Sequence, residues 1–170
     1  MKRTVLVLAL VFWASIGFGQ RFAYIDTEYI LENIPEFNAA EQELEQLSIE
    51  WQGEIEQLFS NVDRLYREYQ AEAPLLPEEM RRRREEEIIE LERRAKELQM
   101  QRFGREGDLF QKRQELIKPI QDKVFRAVEE LATRENYAII FDKAGSLTMI
   151  FTDVRFDLSD QVLRNLGYRR

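Results

Sequence analysis

The 170-residue chain contains no cysteine and no histidine. The first absence removes disulfides, thiol nucleophiles and a thiol for lipid attachment; the second removes imidazole bases, and the two together remove most zinc and haem ligation. Glycine and proline are scarce, seven and four in all. Most lie at the chain ends, at one tip or at one site within a helical stretch. No segment is low-complexity, and no 20–50-residue repeat is present. Carboxylates are plentiful, but they alternate with Lys and Arg as on a solvated helix face. These observations predict neither an enzyme nor a cofactor-binding protein. Hydrophobic residues make up 44% and charged residues 34%, which suits a surface-rich helical rod better than a globule.

Residues 1–19 have the plan of a secretory signal peptide. Lys2 and Arg3 precede an apolar run, Val5 to Phe18, and Gly17-Phe18-Gly19 places small residues before Gln20. The run is too short for the roughly 20 residues that span a membrane, so cleavage is expected between Gly19 and Gln20, with a periplasmic location. Loss of that segment leaves 23 basic against 32 acidic residues, a net charge of −9. Nucleic acid is therefore not an expected partner.

The centre of the chain, Phe37 to Leu131, reads as two long helices folded back on each other. Phe37, Leu44, Trp51, Leu58 and Leu65 recur at sevens, with Ile55, Val62 and Tyr69 as a second row. This is the seam of helices packed along their length. Ala73-Pro74-Leu75-Leu76-Pro77 makes the tip, because neither proline fits inside a helix. The returning helix has Ile88, Leu91, Ala95 and Leu98, then Phe103, Phe110, Ile117, Val124 and Leu131. Between these runs lies Phe103-Gly104-Arg105-Glu106-Gly107, where the seam changes phase. Arg102 and Arg105 occupy positions that the earlier seam would fill with apolar residues. Gly53 lies roughly opposite, so Gly53, Gly104 and Gly107 are candidate hinge residues.

Ala40, Leu47, Phe59 and Tyr66 widen the apolar face of the first arm. Their simplest role is a broader hairpin interface; a sharper one is contact with something loosely held. Phe59, Tyr66, Met80, Met100 and Phe103 are the candidate client-binding residues. Arg64 and Arg67 on one arm, with Arg81, Arg82, Arg83 and Arg84 on the other, form a candidate basic patch. The arginine run is expected to pair forward with Glu85, Glu86 and Glu87, or to contact anionic lipid.

At the two ends of the chain, short elements alternate. Arg21 to Ile25 reads as a strand, Asp26 or Thr27 caps a helix to about Asn33, and Pro35 sets the next helix at a new angle. Pro119 should kink the second arm. Tyr137 to Phe141 and Leu147 to Phe151 read as two strands of a hairpin. Asp157-Leu158-Ser159-Asp160 caps a last helix, Gln161 to Leu166, which Gly167 stops. Phe22, Tyr24, Ile139, Phe141, Met149 and Phe151 are the body-strand residues expected to meet other copies, since three short strands cannot close a sheet alone.

Three stretches resemble the Skp, or OmpH, family of periplasmic chaperones. They are Tyr24-Ile25-Asp26-Thr27 with Ile30-Leu31 and Pro35-Glu36; Ile117-Lys118-Pro119-Ile120 with Val124, Ala127-Val128 and Glu135-Asn136-Tyr137 up to Asp142; and Asp157 to Val162 with Leu166-Gly167. The resemblance covers the whole chain after the leader. It implies a jellyfish-like homotrimer, in which strands of three chains form a barrel body and helical arms surround a cavity. It also implies ATP-independent holding of unfolded outer-membrane proteins. The best-known members are basic, whereas this chain is acidic.

The expected fold is α+β, a small β body with a long antiparallel α-helical arm. The body is assigned to 20–36 and 117–170, and the arm to 37–116 with its tip at 73–77. The alternative function is a structural coiled-coil spacer or adaptor of the envelope. Such a spacer would use its apolar surface fully in its own seam.

Overall fold

The computed structural model describes residues 21–145 and 149–168. The expected leader, 1–19, lies outside them. The chain divides into two compact units, 34–123 and a second formed by 21–33 with 124–168.

In the first unit, α1 (Pro35–Glu72) is a single helix of 38 residues, about 55 Å long at 1.5 Å per residue. Pro35 sits in its first turn, where a missing N–H costs nothing and the fixed φ suits the helix. The helix ends at the proline-containing tip, a 3-10 turn over Ala73–Leu75. Then α2 (Glu78–Phe103) runs back against it. Glu78 and Glu79 lie in its first turn, where the helix dipole favours acids. The seam is real: Ala40, Leu44 and Ile55 of α1 are buried, as are Ile88 and Ala95 of α2.

The returning arm breaks where expected. Helix α2 stops at Phe103, and α3 (Asp108–Glu135) starts five residues later. Gly104 is extended at φ −63°, ψ 169°, and the Gly107 amide donates to the Gly104 carbonyl at 2.9 Å. Both glycines are therefore turn residues outside the helices. Phe110, expected in the seam, is exposed, whereas Leu109, Leu116 and Ile120 pack with Phe37 around buried Ala40, Leu44 and Ile117. Phe110 lies in the first turn of α3, whereas Ile117, Val124 and Leu131 farther along the same row are buried. Pro119 is accommodated inside α3.

The second unit holds β1 (Arg21–Ile25), β2 (Tyr137–Asp142) and two short helices, Thr27–Glu32 and Ser159–Asn165. Its core comprises Tyr24, Ile25, Ile30, Val124, Leu131, Leu158, Val162 and Leu163. Asp26 caps the first short helix by accepting from the Tyr29 amide at 3.0 Å. The second starts two residues before the expected Gln161. It closes with a Schellman pair, Tyr168 N to Leu163 O and Gly167 N to Arg164 O, and Gly167 supplies the positive φ of 92° that this motif requires. Asn136, at φ 56°, turns the chain from α3 into β2.

The expected β-hairpin of 137–141 with 147–151 is replaced by another pairing. Here β2 pairs in parallel with β1, matching Phe22 with Ile139 and Tyr24 with Phe141. Residues 149–151 are in no strand. A two-strand hairpin is marginal by itself, while pairing with β1 adds the packed helices of the unit. The Lys143 amide extends the ladder to the Ile25 carbonyl at 2.7 Å. On the far edge of β1, the Leu158 amide donates to the Tyr24 carbonyl at 2.9 Å.

Candidate functional site

Among the described residues, each unit leaves apolar side chains exposed after its core is filled. On the hairpin, Tyr66, Met80 and Met100 are exposed, the last at 72%. Phe59 and Phe103 are half-buried, and Phe103 meets Trp51 edge to face with ring centroids 6.4 Å apart. Three of the five candidate client residues are therefore exposed, and Phe103 packs on Trp51. Sequence reasoning missed Ile49, Ile89 and Leu75, all more exposed than Met80. Ile49 and Ile89 stand off the seam rows beside Trp51 and Ile88, and that offset was the available signal.

Five of the six arginines of the distal arm are paired with carboxylates. Arg64 pairs with Glu68 at 2.7 Å, Arg67 with Asp63, Arg81 with Glu78, Arg83 with Glu79 at 2.8 Å, and Arg84 with Glu87 at 3.3 Å. Arg82 has no carboxylate partner among the described residues. The expected forward pairing to Glu85–Glu87 holds only for Arg84; Arg81 and Arg83 turn back to acids one helical turn earlier. Glu-before-Arg is the better orientation on a helix, and it places the acids in the positive first turn. Over 61–90, nine carboxylates face six arginines. Glu85 is taken by the Tyr69 hydroxyl, and that bond pushes the phenol above its ordinary value.

Mid-arm, the candidate hinge residues differ in kind. A Cβ at Gly53, inside α1, would meet nothing. A Cβ at Gly104 would press on the Met100 carbonyl, and one at Gly107 would lie 2.6 Å from the Gln101 carbonyl oxygen. Arg102 fills the space at this break. It pairs with Asp108 at 2.6 Å, approaches Glu54 at 3.6 Å, and lays its guanidinium 4.7 Å from the Trp51 ring centroid.

In the second unit, Phe22, Tyr24, Phe141, Met149, Phe151 and Phe156 line an open cleft of about 800 Å³. Phe22 and Tyr24 reach it from one face of β1, and Phe141 from the paired position on β2. Met149 and Phe151 reach it from irregular chain, so five of the six body residues line it, while Leu147 and Thr148 of the expected strand lie outside the described residues. Ile139 is exposed, and Phe151 is 85% exposed. Phe156 was not anticipated; it sits in a short 3-10 turn, Val154–Phe156. Arg21 closes one end of the strand pair by stacking on Tyr137 at 4.4 Å and donating to the Glu135 carbonyl at 2.6 Å.

Among the described residues, no acidic group is arranged to hold a metal ion, and no helix is long and apolar enough to cross a membrane.

Residues 21–166 match the OmpH family, described as outer membrane protein (OmpH-like). An uncharacterized protein of Aquifex aeolicus (strain VF5) is 26% identical over 166 residues, 98% of this chain and 96% of that protein. A crystal structure from Caulobacter crescentus CB15, of a protein provisionally described as an OmpH-like outer membrane chaperone, superposes with a TM-score of 0.69. It is 9% identical, with 89% of this chain and 86% of that one covered, and it shares the fold. The matched span takes in the strand pair, the whole helical hairpin and the last short helix, and the chain belongs to the OmpH-like (Skp) family of outer membrane chaperones.

Proposed function

We propose that this protein is an ATP-independent holdase for unfolded outer-membrane proteins, acting in the periplasm after removal of residues 1–19. The observation that carries this reading is the apolar surface left outside the hairpin seam. Ile49, Tyr66, Met80, Ile89 and Met100 are exposed along the arms, whereas a spacer would spend such residues in its own packing. Two of the five are methionines, whose unbranched side chains adapt to varied partners. Many weak contacts of this kind hold a chain without selecting one sequence.

The holding form is a homotrimer built through the aromatic cleft of the strand unit, and its arms enclose the client. The mid-arm break adjusts the enclosure, with Gly53 as the place where α1 yields. Capture is apolar rather than charge-driven, because five of the six distal arginines are already paired and the chain is acidic. Contact with anionic lipid is correspondingly weak, and Arg82 is the arginine available for it.

The test is dilution of a urea-unfolded outer-membrane barrel protein into buffer with and without residues 20–170, followed by light scattering. Suppression of scattering is expected at about one trimer per client. Exchange of Ile49, Tyr66, Ile89 and Met100 for serine should abolish it without changing helix content. Undiminished scattering with the intact protein would leave the spacer reading.

A further inference from the structure

At the glycine break one arginine contacts both the restarted helix and the opposite arm. Arg102 is the second-last residue of α2, and its side chain is only 25% exposed. It reaches three groups, one beyond the break and two on the opposite arm. Its Nη1 bonds the Asp108 carboxylate at 2.6 Å, the first residue of α3. Its Nη2 stands 3.6 Å from Glu54, and its plane lies over the Trp51 ring. Its Nε is buried with no hydrogen-bond partner among the described residues. The guanidinium therefore accepts an unpaired N–H in order to sit where stacking and the two carboxylates hold it. Gln101 adds a long contact to the same Asp108 oxygen, at 3.4 Å. Arg105, in the turn itself, is exposed and makes none of these contacts.

We propose that Arg102 is a latch that locks the α2–α3 joint to α1. Any change of angle at the joint moves Asp108 relative to Phe103. Arg102 cannot follow both without leaving Trp51. The joint is thus a two-position device, closed while Arg102 stacks and open when it is released. Glycine supplies the turn, and arginine decides whether the turn is fixed. A client segment offering a carboxylate or an aromatic ring would compete for the same guanidinium, so the latch is opened by the chemistry of an unfolded chain. The latch rests on the hairpin geometry alone, while its use in holding clients rests on the function proposed above.

Residues 20–170 contain a single tryptophan, Trp51, since Trp13 lies in the leader. The latch is therefore visible by fluorescence. In Arg102→Gln, acrylamide quenching of Trp51 should rise about twofold. Amide exchange at Gly107 and Gln111, whose N–H groups bond Gly104 and Gly107 across the turn, should quicken at least tenfold. Asp108→Asn should quicken the same amides while leaving Trp51 more protected than in Arg102→Gln. Arg105→Gln should match the parent protein. Amides at Ile55, Ile88 and Ile117 should be unchanged in all three. Unchanged exchange at Gly107 and Gln111 in Arg102→Gln would overturn the latch, and so would an equal rise along the whole hairpin. Failure of the scattering test with these exchange effects intact would remove the client reading and leave the latch standing.

Discussion

Glu90 accepts from two arginines, Arg93 at 2.7 Å and Arg94 at 3.0 Å. These hydrogen bonds hold its carboxyl down at about 2. A carboxylate lowered in the folded state stabilises that state above its unfolded value of 4.5, and the contribution disappears as pH falls through about 2. Carbon-detected NMR of the Glu90 carboxyl should give a midpoint near 2. Arg93→Gln with Arg94→Gln should return it towards 4.5. The pair is solvent-exposed, so global stability should barely respond. Packing residues behave differently. Ile117 is buried and Phe110 is half-exposed, although both occupy one seven-residue row. Ile117→Ala should cost about 2–5 kcal/mol and Phe110→Ala less than about 1 kcal/mol, as read by urea titration. Equal costs would mean that Phe110 packs in the seam as Ile117 does.

At the scale of elements, the glycines separate. From spacing alone, alanine at Gly104 and Gly107 would strengthen a weakened helix. The structure reverses that sign, because both residues turn the chain and a Cβ would strike backbone carbonyls. Gly104→Ala and Gly107→Ala should each destabilise by about 1–3 kcal/mol. Gly53→Ala, inside α1 with open space around it, should stabilise by roughly 1 kcal/mol. Thermal denaturation of the three single variants distinguishes these outcomes. The contrast shows what periodicity can and cannot convey. Helix limits, the tip, the break and the two short helices followed from local rules: proline exclusion, capping side chains and apolar spacing. Strand partners did not, because Tyr137–Asp142 chose a strand more than a hundred residues away over one a few residues on. Nothing within either segment encodes that choice. The candidate site was partly legible for the same reason. Aromatic content marked Phe22, Phe141 and Phe151, but only the fold adds Phe156 to their cleft. The Arg102 cluster was visible only as an arginine out of place in an apolar row.

At the scale of the molecule, the strand unit exposes more apolar surface than a two-stranded sheet can justify by itself. Phe22, Ile139, Phe141, Ile150, Phe151, Val154 and Phe156 are all exposed within it, beside a packed core that needs none of them. Surface of this size and aromatic content is the usual middle of a protein interface. A second copy is the partner already present at equal concentration, and closed symmetry lets one patch serve every subunit. Three copies belong to the function proposed above rather than to this surface, so stoichiometry needs its own measurement. Sedimentation equilibrium of residues 20–170 should give three times the chain mass. Phe22→Asp with Phe141→Asp places charges in the cleft and should give one chain mass. Far-ultraviolet circular dichroism should be little changed, because the hairpin seam of Leu44, Ile55, Ile88 and Ala95 uses neither phenylalanine. A monomeric parent protein would remove the homotrimer, and a double variant that stays trimeric would place the assembly surface elsewhere; either would return the cleft to the search for a client.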